Sequence, residues 1–104
     1  MRFRFVVLLL MLSFGSSRAQ QVMAFGIGQE SCKVWLSSRR NFEEGRSWSS
    51  GYWTSANMRN SSDHLVGSKS DANGLADAVK AACREKPSRL LMNAATEAYS
   101  RFQD

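Results

Sequence analysis

Histidine and proline occur once each in this chain and cysteine twice, and Ile27 is the one isoleucine. Each scarcity argues against a class of protein. One histidine, with no closely spaced pair of cysteines, leaves a zinc site without a ligand set. A single proline, Pro87, and no Gly-rich stretch leave no linker to divide the chain, and no internal repeat is visible. With valine and threonine also sparse after the first twenty residues, a sheet is not expected. The longest apolar run, residues 5–14, is about half of the roughly 20 residues needed to span a bilayer. No nucleophile motif is present, so a Ser–His–Asp hydrolase would have to be built around the adjacent Asp63 and His64. Neighbours in sequence usually point apart. A lone loop histidine is most often a solvated group without a role. No enzyme is expected.

What is present starts with an address. Arg2 and Arg4 precede the apolar run FVVLLLMLSF, and Ser17 and Ala19 supply the small residues of a cleavage site, which reads as a signal peptide over residues 1–19. Val22 and Ala24 satisfy a second site, so the mature chain starts at Gln20 or Phe25. No cysteine follows the run, which argues against a lipoprotein. The expected location is periplasmic or secreted, with no membrane association after cleavage. Loss of Arg2, Arg4 and Arg18 leaves 11 Lys and Arg against 9 Asp and Glu, a net charge of +2. Apart from Arg39 and Arg40 the cations are scattered, and nucleic acid is not an expected partner. About 85 mature residues make one small domain that benefits from a staple. Two cysteines in an exported chain are most simply one disulfide, Cys32 to Cys83. Closing a loop of about 50 residues would contribute about 4 kcal/mol.

Hydrophobic spacing predicts an all-α bundle of four helices over residues 30–102. Residues 20–29 read as a mobile arm or a poorly ordered first turn. Ser31 caps a first helix that carries Cys32, Val34 and Trp35 and runs to about Arg40, with Trp35 in the core. Asn41–Gly45 reads as a connection. A second helix covers roughly Arg46–Asn60, with Gly51 expected where a neighbouring helix comes close. Residues 60–70 form a polar loop anchored by Leu65 and Val66, and Asn60-Ser61-Ser62 is a glycosylation sequon. Ser70 or Asp71 caps a third helix over Ala72–Glu85, whose inner face carries Leu75, Val79, Ala82 and Cys83. The fourth runs from Pro87 or Ser88 to about Phe102 on a stripe of Leu91, Ala94 or Ala95, Ala98 and Phe102.

The stretch WSSGYWTSANMRN, Trp48 to Asn60, is the densest in aromatics. Trp48, Tyr52 and Ala56 recur at one-turn spacing and read as core, whereas Trp53 lies off that line and either widens the buried face or meets solvent. Trp53, Asn57 and His64 are the candidate partner-binding residues.

The order of signals resembles the HdeA-like group of small periplasmic helical proteins. The resemblance is carried by Cys32 and Trp35; Trp48, Gly51, Tyr52 and Asn57; Asp71, Gly74, Leu75 and Cys83; and Pro87, Leu91 and Ala94. The group contains the HdeA and HdeB acid-stress chaperones and the immunity proteins of the Rap and Tai kind, which neutralise toxins delivered by type VI secretion. It implies a four- or five-helix fold with the Cys32–Cys83 disulfide, a periplasmic location, no cofactor and no catalytic residue. The implied partner is a protein, either an unfolded client or a toxin, and a homodimer is compatible with the chaperone branch. That branch works by losing carboxylate charge in acid; this chain would reach about +13 with every carboxylate protonated. The aromatic Trp48–Trp53 stretch looks closer to the immunity branch.

Overall fold

The computed structural model describes residues 22–104. The signal peptide expected over residues 1–19 lies outside the described residues. A 3-10 turn, Gly26–Gln29, leads to α1 (Cys32–Trp35), α2 (Arg39–Arg59), α3 (Ala72–Glu85) and α4 (Leu91–Arg101). The chain is a small all-α bundle. Among the described residues its one piece of extended pairing is an isolated antiparallel bridge between Ser31 and Leu90. The expected disulfide is formed, with Cys32 and Cys83 Cα atoms 5.5 Å apart. No helix among the described residues is long and apolar enough to cross a membrane.

α1 is much shorter than its spacing predicts. Ser31 caps it by accepting from Val34 N at 3.2 Å, as expected, but it stops at Trp35 because the chain folds back on itself. The indole of Trp35 donates to the Phe42 carbonyl at 2.9 Å and stacks on the Phe42 ring at 5.4 Å. Asn41 donates to the Val34 carbonyl and to Ser37 Oγ. Ser38, inside the span expected for the first helix, instead caps α2 by accepting from Asn41 N at 3.0 Å. Asn41–Gly45 is therefore helix rather than connection. Gly45 reads as a breaker, yet a Cβ there would collide with the Trp35 ring. The close approach expected at Gly51 occurs at Gly45. Gly51 itself is exposed, with nothing within 4 Å of a Cβ built on it.

The inner face of α2 also differs from the periodic reading. Gly45, Ser49, Trp53 and Ala56 are buried, while Trp48 and Tyr52 are half-buried and stack on one another at its edge. Trp53 is 3% exposed and belongs to the core. Trp48 donates from its indole to the Phe25 carbonyl at 2.9 Å. That bond fixes the segment before the 3-10 turn, so the packed structure starts at Ile27, which is buried, and not at Glu30.

α3 has the predicted bounds. Asp71 caps it by accepting from Gly74 N at 2.8 Å, and Ala76, Val79, Ala82 and Cys83 are buried with Leu75 packed beside them. α4 starts at Leu91, four residues later than Pro87. The carbonyls of Pro87 and Arg89 accept from Lys33 N and Cys32 N, at 3.2 and 2.8 Å, instead of closing a helical turn. Leu91, Ala94, Ala95 and Ala98 face the core, as the stripe predicts, and Leu91 N donates to the Glu30 carbonyl. Trp35, Leu91, Val79 and the disulfide form the driest part of the molecule.

The two helix glycines should respond oppositely to the same substitution. Gly51→Ala should raise the free energy of unfolding by about 0.5–1 kcal/mol, because it removes backbone entropy at an open site. Gly45→Ala should lower it by about 1–3 kcal/mol through overpacking against Trp35. Urea unfolding followed by tryptophan fluorescence distinguishes them.

Candidate partner-binding site

Trp53, Asn57 and His64 meet at the C-terminal end of α2, where the chain turns into the 60–70 loop. The Val66 carbonyl is the point of convergence. It accepts from Trp53 Nε1 at 2.9 Å and from Asn57 Nδ2 at 3.1 Å, so both lone pairs are used. Asn57 Oδ1 accepts from the Tyr99 hydroxyl at 2.8 Å, and that hydroxyl accepts from Asn60 Nδ2 at 3.1 Å. His64 Nδ1 lies 2.9 Å from the Asn57 carbonyl, one of the α2 end carbonyls that the helix leaves without an internal donor. The loop is thus pinned to α2 and α4 by a connected polar network.

The first half of the loop is a local fold of its own. Asn60 Oδ1 accepts from Ser62 N and Asp63 N, and Asp63 Oδ1 accepts from Leu65 N at 2.8 Å. With its amide shared between Tyr99 and this turn, Asn60 of the sequon is part of the fold; a glycan on Nδ2 would displace the Tyr99 contact. At the other end Gly67 adopts φ +85°, and its N–H donates to Asp104 Oδ2 at 3.1 Å. A side chain at Gly67 would meet both Leu75 and the Trp53 indole at 3.0 Å. Val66 packs on the core, as expected of a loop anchor. Leu65, expected to share that task, is 66% exposed.

The three predicted residues therefore take different positions. Trp53 is buried between Tyr99 and Phe102, with edge-on contacts at 5.0 and 5.2 Å, and offers no surface in this state. Asn57 is half-buried and holds the loop. His64 is exposed. Beside them stands an apolar group the sequence reading did not single out: Met58, 76% exposed on α2, lines a concavity with Thr54, Asn57 and His64, and Leu65 is exposed on the following loop. An exposed methionine one residue beyond Asn57 was the available signal.

A second cluster closes the far side of the bundle. Arg101 on α4 bridges Glu85 at the end of α3 and Glu97 one turn before it, each at 2.6 Å. The hydrogen bond from Arg101 holds the Glu85 carboxyl below the ordinary glutamate range, and the same bond raises Arg101. Compared with family models, curated proteins and solved structures, the chain matches none.

Asn57→Ala should lower stability by about 1–3 kcal/mol, since Val66 and Tyr99 lose a partner in a half-buried place. It should also speed amide exchange at Gly67 and Ser68 while leaving α3 protected. Exchange at Gly67 unchanged from the parent would mean that Asn57 does not hold the loop.

Proposed function

We propose that this chain is a non-enzymatic, exported binding protein of the HdeA-like type whose ligand is another protein. The observation that carries the reading is the exposure of two large apolar side chains, Met58 at the end of α2 and Leu65 on the following loop, which is immobilised by hydrogen bonds. Fixed apolar surface reduces the ordering cost of association. His64 and Asp63, the pair that a hydrolase would need, each bond to backbone rather than to one another. The disulfide suits export to an oxidising compartment.

Within that reading, the acid-stress chaperone branch is supported by where the carboxylates are. Asp71 caps α3, Asp63 and Asp104 hold the loop, and Glu85 and Glu97 tie α3 to α4 through Arg101. In strong acid a carboxylate loses the charge that makes it a strong acceptor and ion-pair partner, which would weaken the ties at the loop and at the α3–α4 end without touching the disulfide. The immunity branch is supported by a different observation, the rigidity of the 60–70 loop at neutral pH, which suits insertion into one folded target. Suppression of client aggregation at pH 2–3 and not at pH 7 would establish the first branch. Tight one-to-one binding of a toxin encoded by the neighbouring gene at pH 7 would establish the second.

The acid window can be tested on the chain alone. Glu85 has a folded pKa below the unperturbed 4.5, so its contribution is present above pH 4.5 and is lost as pH falls through the depressed value. Glu85→Gln should therefore be less stable than the parent at pH 7 and indistinguishable from it at pH 2 in urea unfolding. An equal difference at both pH values would remove Glu85 from the acid response.

A further inference from the structure

Six cations that are dispersed in sequence sit on segments that the fold joins around the end of α2 opposite the loop. Lys33 follows Cys32 and Arg84 follows Cys83, and the disulfide holds those backbones 5.5 Å apart at Cα. Hydrogen bonds from Cys32 N and Lys33 N to the Arg89 and Pro87 carbonyls lay α1 across the connection that carries Lys86 and Arg89. Asn41, bonded to the Val34 carbonyl at 3.2 Å, holds Arg39 and Arg40 beside the end of α1. None of the six forms an ion pair among the described residues, whose pairs use Arg46, Lys80 and Arg101. Five are exposed and Arg89 is half-buried. Three acidic groups lie near them against six cations: Glu85, which pairs with Arg101 and also feels Arg89, and Glu30 and Glu44, which line a concavity with Val34.

Val34, Leu36 and Leu90 lie among these cations, 36% to 43% exposed. We propose that this basic, partly apolar end is a docking surface for an acidic polypeptide. Four of the six cations are arginines, whose planar forks pair bidentately with carboxylates. Arginine interleaved with aliphatic side chains is the composition of a protein interface. A membrane surface would call for apolar side chains that project fully, whereas these are less than half exposed. Single-stranded nucleic acid would call for open aromatic faces, and of the aromatics of this end Trp35 is buried and Phe42 is half-buried with its ring stacked on Trp35. The surface is separate from that of Met58 and Leu65. α2, whose two ends mark them, is 21 residues long, or about 30 Å.

The test uses a fluorescein-labelled peptide of repeating Glu-Glu-Leu, titrated with the purified protein at about 50 mM salt, where surface charge is weakly screened. Lys33→Glu combined with Arg84→Glu should weaken binding at least about tenfold. Arg59→Glu combined with Lys69→Glu, which removes the same charge at the far end, should change it less than about twofold. Circular dichroism and thermal melts check the fold, and Lys33→Gln with Arg84→Gln replaces the reversal if that variant unfolds. Equal weakening by the two reversals would reduce the effect to net charge and overturn the proposal. So would failure of the parent to bind the peptide, or tighter binding to phosphatidylglycerol vesicles or a single-stranded oligonucleotide.

Discussion

A helix of four residues cannot sustain itself, and α1 is one. Nucleating a turn costs more than its single internal hydrogen bond returns, so α1 exists because other parts of the chain hold it. The Cys32–Cys83 bond ties it to α3, and the backbone bonds from Cys32 and Lys33 tie it to the 87–89 carbonyls. With α1 fixed, Trp35 is fixed beneath Gly45, and α2 must start where it does. The start of α2 then sets the direction in which its other end delivers the 60–70 loop. The disulfide is therefore a positioning device as much as a stabilising one.

Tryptophan does for the irregular segments what the disulfide does for α1. Each of the three indoles donates to a backbone carbonyl of another segment, always at 2.9 Å. Trp35 binds Phe42 at the start of α2, Trp48 binds Phe25 before the 3-10 turn, and Trp53 binds Val66 in the loop. A ring large enough to fill the core, with a polar edge that must be satisfied, suits this work. A chain this short has few other ways to bring its loops to the core.

The parts legible in the sequence were those with strong local chemistry. α3 could be bounded to the residue because Asp71 is a good cap and its apolar face is clean. The stripe of α4 was visible, but its start was not, since nothing local reveals that the Pro87 and Arg89 carbonyls are taken by α1. α2 was read from the wrong residues because two of its four buried positions are Gly45 and Ser49. A face made of small residues leaves no hydrophobic signal, so the period of Trp48 and Tyr52, which sit at its edge, dominated the pattern. Trp53, Asn57 and His64 lie together in the fold, and what they share is the Val66–Asn57 junction rather than open surface. The basic end was illegible for the same reason as the start of α4: its cations are neighbours only through a disulfide and two backbone bonds between distant segments.

The two surfaces answer to acid in opposite ways, and that separates the modes of binding open to the molecule. An acidic partner loses its charge once its carboxylates protonate, below about pH 4, so the basic end has nothing to attract under strong acid. The apolar surface of Met58 and Leu65 keeps its driving force there, and it grows if protonation of Asp63 and Asp104 frees the loop. Under the two proposals, binding at the basic end would belong to neutral pH and binding through an opened loop would belong to acid. Both surfaces depend on α2 being held at its two ends, by Trp35 at one and by Trp53 and Asn57 at the other, so a chain that lost either anchor would lose the distinction between them.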